Sequence, residues 1–222
     1  QSLIKQELFF LVSFFLSVTF SFTQDDFTKY EKEIARLNGK AKFEKYIQII
    51  DENNTRSPQL SIKLGEKAFK EIDTNKYTSH YAKLLYLIGN SHYLTGEYPK
   101  AFPYLEKSAK IYEKLNDTKD LPLVYISIGR FYRKVQNDCE NAKNYYHKAE
   151  KIYEQTNNKQ ELATVHNYLG NATETCDKDL EKALSYYYKT ENYYQKVNDT
   201  IGLSYSLDFI SQVYGQQGKF EE

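Results

Sequence analysis

The residues best suited to chemistry are scattered along this 222-residue chain. His80, His92, His147 and His166 form no pair at i, i+4 and no His-Glu-x-x-His, so a zinc site is not expected. No Walker loop, GxSxG elbow or dinucleotide fingerprint is present. The carboxylates sit in mixed-charge segments such as EYPKAFPYLEK (97 to 107), which reads as a solvated helix surface. No catalytic residue, metal or cofactor is therefore expected. What remains is binding chemistry. Arg130 and Arg133, three residues apart, could take a carboxylate bidentately if they share a helix face. Amide side chains such as Asn167 and Asn171 can both donate to and accept from an extended peptide backbone.

Such residues need elements to hold them, and the chain repeats those elements. The segments KSAKIYEKLND (107 to 117), KAEKIYEQTNN (148 to 158) and KTENYYQKVND (189 to 199) recur every 41 residues. Upstream of each lies a second recurring stretch, centred on Gly89, Gly129, Gly170 and Ser211. Within one period, Leu84, Leu85, Leu87 and Ile88 lead to Tyr93, and Thr95-Gly96-Glu97 then breaks the chain. Tyr98, Ala101, Phe102, Leu105 and Ala109 resume at helical spacing, so the period reads as helix, turn, helix. A glycine inside a helix costs about 1 kcal/mol against alanine. Gly89, Gly129 and Gly170 at one repeated position therefore predict close approach of the paired helix, with Ala101, Ala142 and Ala183 facing them. Tyr104, Tyr145 and Tyr186, with Tyr112, Tyr153 and Tyr194, are expected to fill the surrounding core.

This pattern resembles the tetratricopeptide repeat family. Leu85, Ile88-Gly89, His92, Ala101 and Leu105 match its order of large residue, Leu-Gly, Tyr, Ala and aromatic. So do Tyr125, Ile128-Gly129, Tyr132, Ala142 and Tyr146, then His166, Leu169-Gly170, Thr173, Ala183 and Tyr187. The fourth copy, Leu207, Ile210-Ser211 and Tyr214, lacks the glycine. The family's period is about 34 residues with a closing proline; here Asn-Asp stands in that place and the period is longer. Such long-period copies resemble the repeats of bacterial peptide-sensing regulators and of the sensor halves of membrane signalling proteins.

The resemblance implies an all-α fold, a right-handed superhelical solenoid of antiparallel helix pairs, with a protein or peptide held in its concave groove. The groove positions it assigns are Tyr86, Asn90 and Tyr93, then Ile126, Arg130 and Arg133, then Asn167 and Asn171, then Asp208 and Gln212. Repeats are expected over residues 80–119, 120–159, 160–200 and, truncated, 201–222, behind a degenerate helix pair over 40–76 and a linker over 24–39. Cys139 and Cys176 fall near turns of neighbouring repeats, but their places within the repeat differ by four residues, so an unbridged pair is expected.

Composition narrows the partner. Lys plus Arg balance Asp plus Glu at 30 each, which leaves no net field to attract nucleic acid. Aromatics at 16% are too many for a disordered chain. Leu8 to Phe22 form an apolar run preceded by Lys5 and followed by Asp25-Asp26, too short for the hydrocarbon core and suited to a secretory leader or N-terminal anchor over residues 1–23. That places the rest in the periplasm or outside the cell, with membrane contact only through the leader or a missing C-terminal span. The absence of Met and the ending GKFEE read as a fragment at both ends. The function expected is a non-catalytic exported binding scaffold. The alternative is the extracytoplasmic sensor region of a larger membrane signalling protein, a histidine kinase or a DNA-binding regulator.

Overall fold

The computed structural model of the chain describes residues 24–218. The leader expected over residues 1–23, and the close of the fourth repeat at Phe220, lie outside them. Among the described residues there are ten α-helices and no strand. They divide into two compact units, one ending at Glu97 and one beginning at Tyr98.

The first unit holds α1 (Gln24–Ile34), α2 (Gly39–Asn53), α3 (Pro58–Glu71) and α4 (Thr78–Leu94). Residues 24–39, read from sequence as a linker, thus contain a helix. Its charged sequence hides a narrow apolar stripe of Phe27 and Ile34, both buried, and its flanks are tied by Glu31 to Lys67 and by Glu33 to Lys45, each at 2.6 Å. α2 and α3 form the degenerate pair, cored by Phe43, Tyr46, Ile49, Ile50, Leu60 and Leu64. Gly65 brings α3 close to α4 instead: a Cβ there would lie 2.1 Å from Ile88 Cδ1. Asn54 closes the α2 end by donating to Leu87 O and Ser91 Oγ, both at 2.8 Å.

The second unit holds α5 (Tyr98–Leu115), α6 (Leu121–Phe131), α7 (Cys139–Gln155), α8 (Lys159–Ala172), α9 (Leu180–Val197) and α10 (Thr200–Gln216). Each junction is built by an Asn-Asp-like pair. Asn116, Asn157 and Asn198 take positive φ near 50° and end one helix, as does Asn137 and, less comfortably for a side chain with no local hydrogen bond to offer, Lys178. After Asn116, Asp117 accepts from Lys119 N and Asp120 N within the turn; at the other four the next residue caps the following helix: Asp138 accepts from Asn141 N, Asn158 from Glu161 N, Asp179 from Lys182 N and Asp199 from Gly202 N.

α6 and α8 each end in a five-residue π turn, Tyr132–Gln136 and Thr173–Asp177. The cause can be counted. From the glycine to the left-handed residue the chain runs seven residues in α4, Gly89 to Gly96, but eight from Gly129 to Asn137 and from Gly170 to Lys178. One added residue is absorbed as one wide turn, leaving the following helix in register.

The glycines do what their spacing predicts in this unit, with a correction of one residue. A Cβ at Gly129 would lie 2.4 Å from Tyr146 Cε1 and 3.1 Å from Ala142 O; at Gly170 it would lie 2.6 Å from Tyr187 Cε1. The rings over the glycines are therefore Tyr146 and Tyr187, both fully buried, whereas Tyr104, Tyr145 and Tyr186 are only half-buried. Tyr145 instead stacks on Tyr132 at a ring separation of 5.6 Å under Lys148. Ala101, Ala142 and Ala183 are fully buried, as expected, and so are Tyr112 and, nearly, Tyr153, while Tyr194 is not.

The cysteines overturn the sequence reading: Cys139 and Cys176 form a disulfide, with Cα atoms 5.9 Å apart, inside the bridging range. Cys139 opens α7 and Cys176 lies in the π turn closing α8. The start of the second helix in one repeat faces the end of the first helix in the next, so the four-residue offset is what brings the sulfurs together. Lys143 Nζ spans the same junction to Asp177 Oδ1 at 2.6 Å.

Candidate functional site

The second unit encloses a cavity of about 380 Å³ between α8, α9, α10 and the π turn after α6. Its polar wall is Arg133, Thr164, Asn167 and Asn171; its aromatic wall is Tyr168, Tyr194, Tyr205 and Phe209. Thr164, Asn167, Tyr168 and Asn171 follow i, i+3, i+4, i+7, one face of α8, and Tyr205 and Phe209 are their counterparts 41 residues on. The aromatic rings are anchored from behind. Tyr168 stacks on Tyr146 at 5.4 Å and Phe209 on Tyr187 at 5.1 Å, so the residues that cover the glycines also support the cavity.

Three polar atoms at this cavity are shut from solvent without a protein partner among the described residues: Arg133 Nε, Asn167 Oδ1 and Asn171 Oδ1. Each such atom costs on the order of 1–3 kcal/mol until it is matched. Burial pushes the Tyr146 hydroxyl up to about 12, while the charge of Arg133 beside it pulls the other way. Below the cavity, Glu174 is buried in the π turn and accepts from Tyr187 Oη at 2.9 Å and from Gln216 Nε2 at 2.6 Å, pinning α9 and α10 to the end of α8.

Of the groove positions taken from sequence, the structure brings together Arg133, Asn167 and Asn171. Arg130, in the last turn of α6, is half-buried and outside the cavity wall, and Ile126 is buried. Asp208 and Gln212 are exposed on α10 and do not line the cavity, which takes Tyr205 and Phe209 from that helix instead. Tyr86, Asn90 and Tyr93 lie on α4 of the first unit, the first two half-buried and Tyr93 buried. Sequence reasoning missed Thr164, Tyr168, Tyr205 and Phe209. Part of their signal is present in the aromatics Tyr168 and Phe209, 41 apart beside the asparagines, whereas Thr164 and Tyr205 share the spacing without sharing a residue type.

The histidines, scattered in sequence, are not all solitary. His147 Nδ1 and His166 Nε2 approach Glu150 at 2.8 and 3.1 Å from α7 and α8. Hydrogen bonds from His147 and then His166 hold the Glu150 carboxyl down to about 2. A carboxyl lowered from 4.5 stabilises the fold at higher pH and loses that contribution as pH falls through its folded value. The Tm gap between the parent and Glu150→Gln is therefore expected to be open near pH 6 (about) and to close between 4.5 and about 2, read by thermal melts across that range. Among the described residues no group of three or more His, Cys, Asp or Glu could hold a metal ion. No described helix is long and apolar enough to cross a membrane.

Residues 80–155 match the family model of the tetratricopeptide repeat. No curated protein matches the chain. Among solved structures, a Rap protein complexed with competence and sporulation factor superposes with a TM-score of 0.72 at 15% identity, over 89% of this chain and 55% of that one. Aspartyl phosphate phosphatase F from Bacillus subtilis gives 0.71 at 20%, over 84% and 49%. A signal transduction ATPase with numerous domains, carrying a tetratricopeptide repeat sensor, from Pyrococcus horikoshii gives 0.70 at 18%, over 85% and 30%. BtubC from P. vanneervenii gives 0.59 at 17%, over 86% of this chain and 85% of that one. The chain thus spans about half or less of three of these four proteins, and at such identities the likeness is one of fold. The repeated glycine, alanine and aromatic positions and the helix pairs they build coincide, over residues 80–155, with the tetratricopeptide repeat, and the chain shares its helical fold with the solved structures.

Proposed function

We propose that the chain is a non-catalytic scaffold whose second unit holds an extended polypeptide segment against α8 and α10. The observation that carries this reading is the cavity whose polar wall keeps three unmatched atoms opposite an aromatic wall. Arg133 offers a fork suited to a carboxylate, and Asn167 and Asn171, one helical turn apart, offer acceptors at a spacing suited to amide N–H groups of an extended strand. Tyr168, Tyr205 and Phe209 would cover an apolar side chain between them. A Rap protein of the same fold is complexed with a signalling factor, which supports a polypeptide guest here. The Cys139–Cys176 disulfide supports an exported location, since such bonds persist in oxidising compartments.

The test is a panel of short peptides selected against the purified protein. Selected peptides should lose about tenfold or more in affinity, near 1.4 kcal/mol, for Arg133→Ala combined with Asn171→Ala. Equal affinity for parent and variant would refute the cavity as the binding site.

The second reading is a sensor region within a larger signalling protein. It is favoured by the fold shared with a signal transduction ATPase that carries a tetratricopeptide repeat sensor. In that case the same cavity is the input site, and the reading frame beyond residue 222 should encode a membrane span of roughly 20 apolar residues and an output domain.

A further inference from the structure

A second recess of about 300 Å³ lies in the second unit, between α8 and α9. Its lining differs in kind from the aromatic cavity. Lys159 enters from the first residue of α8, and Lys189 and Lys196 enter from α9 with Asn192 between them. Lys189, Asn192 and Lys196 follow i, i+3, i+7, so one face of α9 carries two ammonium groups and an amide. Leu162, Ala163, His166 and Tyr193 complete the wall.

The charge at this recess is unbalanced. Some lysines of this neutral chain find carboxylates, as in Lys42–Glu71, Lys45–Glu33, Lys67–Glu31 and Lys143–Asp177, each at 2.6 Å. None of Lys159, Lys189 and Lys196 has such an ion pair among the described residues, and no carboxylate lines the recess. Glu150, 3.1 Å from His166 Nε2, is already shared between His147 and His166. Lys189 rests 5.2 Å from the Tyr186 ring, a contact that leaves its charge uncompensated. Three positive charges in a half-closed recess with a partly apolar wall raise the local concentration of anions.

The geometry points to a binding site for a phosphoryl group, carried either by a small molecule or by a phosphorylated side chain. A phosphoryl group brings close to two negative charges and three acceptor oxygens, which three lysines and one asparagine amide can meet. A single carboxylate would leave the cluster with excess positive charge. Tyr193 offers the apolar surface against which the rest of such a ligand would lie. The site is independent of the aromatic cavity: it uses the opposite face of α8 from Thr164 and Tyr168.

Three probes test it by amide chemical-shift titration: inorganic phosphate, a phosphoserine peptide and the same peptide unphosphorylated. Saturable shifts confined to α8 and α9 are expected with the phosphate-bearing probes. Lys189→Gln with Lys196→Gln should weaken them about tenfold or more, and, both side chains being exposed, should leave the thermal melt in place. Tighter binding of the phosphoserine peptide than of phosphate would assign the site to a phosphorylated polypeptide, and equal binding to a free phosphate compound. Failure of both phosphate probes to saturate, equal binding of the unphosphorylated peptide, or full affinity in the double variant would each overturn the proposal.

Discussion

Gly129→Ala is expected to destabilise the second unit by about 2 kcal/mol, although alanine is the better helix former by about 1 kcal/mol. The added methyl group would stand 2.4 Å from one ring carbon of Tyr146, 2.7 Å from another and 3.1 Å from the Ala142 carbonyl. Neither neighbour can yield. The Tyr146 ring is fully buried and stacked on Tyr168, and the carbonyl belongs to the backbone of α7. Urea unfolding measures the loss, and a partner substitution separates steric crowding from any other cause. Leu105 occupies the position 41 residues before Tyr146, so Tyr146→Leu uses a residue this repeat already accepts. In Gly129→Ala with Tyr146→Leu the two costs should fail to add by about 1 kcal/mol or more, because the smaller side chain makes room for the methyl. Simple additivity would show that the glycine is needed for something other than close approach.

Breaking the disulfide should cost more. Closing a loop across a sequence separation of 37 removes enough entropy from the unfolded chain for a stabilisation of about 4 kcal/mol. Cys139→Ser with Cys176→Ser, or reduction of the parent, should lower the unfolding free energy by that order, with a larger urea m-value because the freed chain exposes more surface. Identical melts with and without reductant would mean that the bond is absent from the folded protein or that the junction is held by Lys143–Asp177 and the Glu174 network alone.

What the sequence made legible follows from how local each feature is. The helix pairs, the repeat length and the glycine and alanine contacts are written at fixed spacings, and the structure carries them through α6 to α9 in the second unit. Arg133, Asn167 and Asn171 were placed through the same spacing. Asp208 and Gln212 follow Asn167 and Asn171 by 41 residues, yet the cavity is lined from α10 by the neighbours Tyr205 and Phe209. A helix wall contributes a face several residues wide, and repeat spacing alone does not say which edge of that face a cavity uses. α1 escaped because its stripe is only Phe27 and Ile34 among charges. The disulfide and the His147–Glu150–His166 cluster escaped for a different reason. Both join residues on separate helices, and the π turn that delivers Cys176 to Cys139 arises from a one-residue difference in interval that has meaning only beside the other repeats.

The covalent link also divides the second unit mechanically. Under tension applied at the two ends of the chain, the load passes through the sulfur bridge and bypasses residues 140–175, which include most of α7 and α8 and the Asn167–Asn171 wall. That stretch would contribute roughly 125 Å of extended chain if it were free to unravel. With the bridge in place it stays out of the force path, so stretching can peel α9 and α10 away while half of the cavity remains folded within a closed ring.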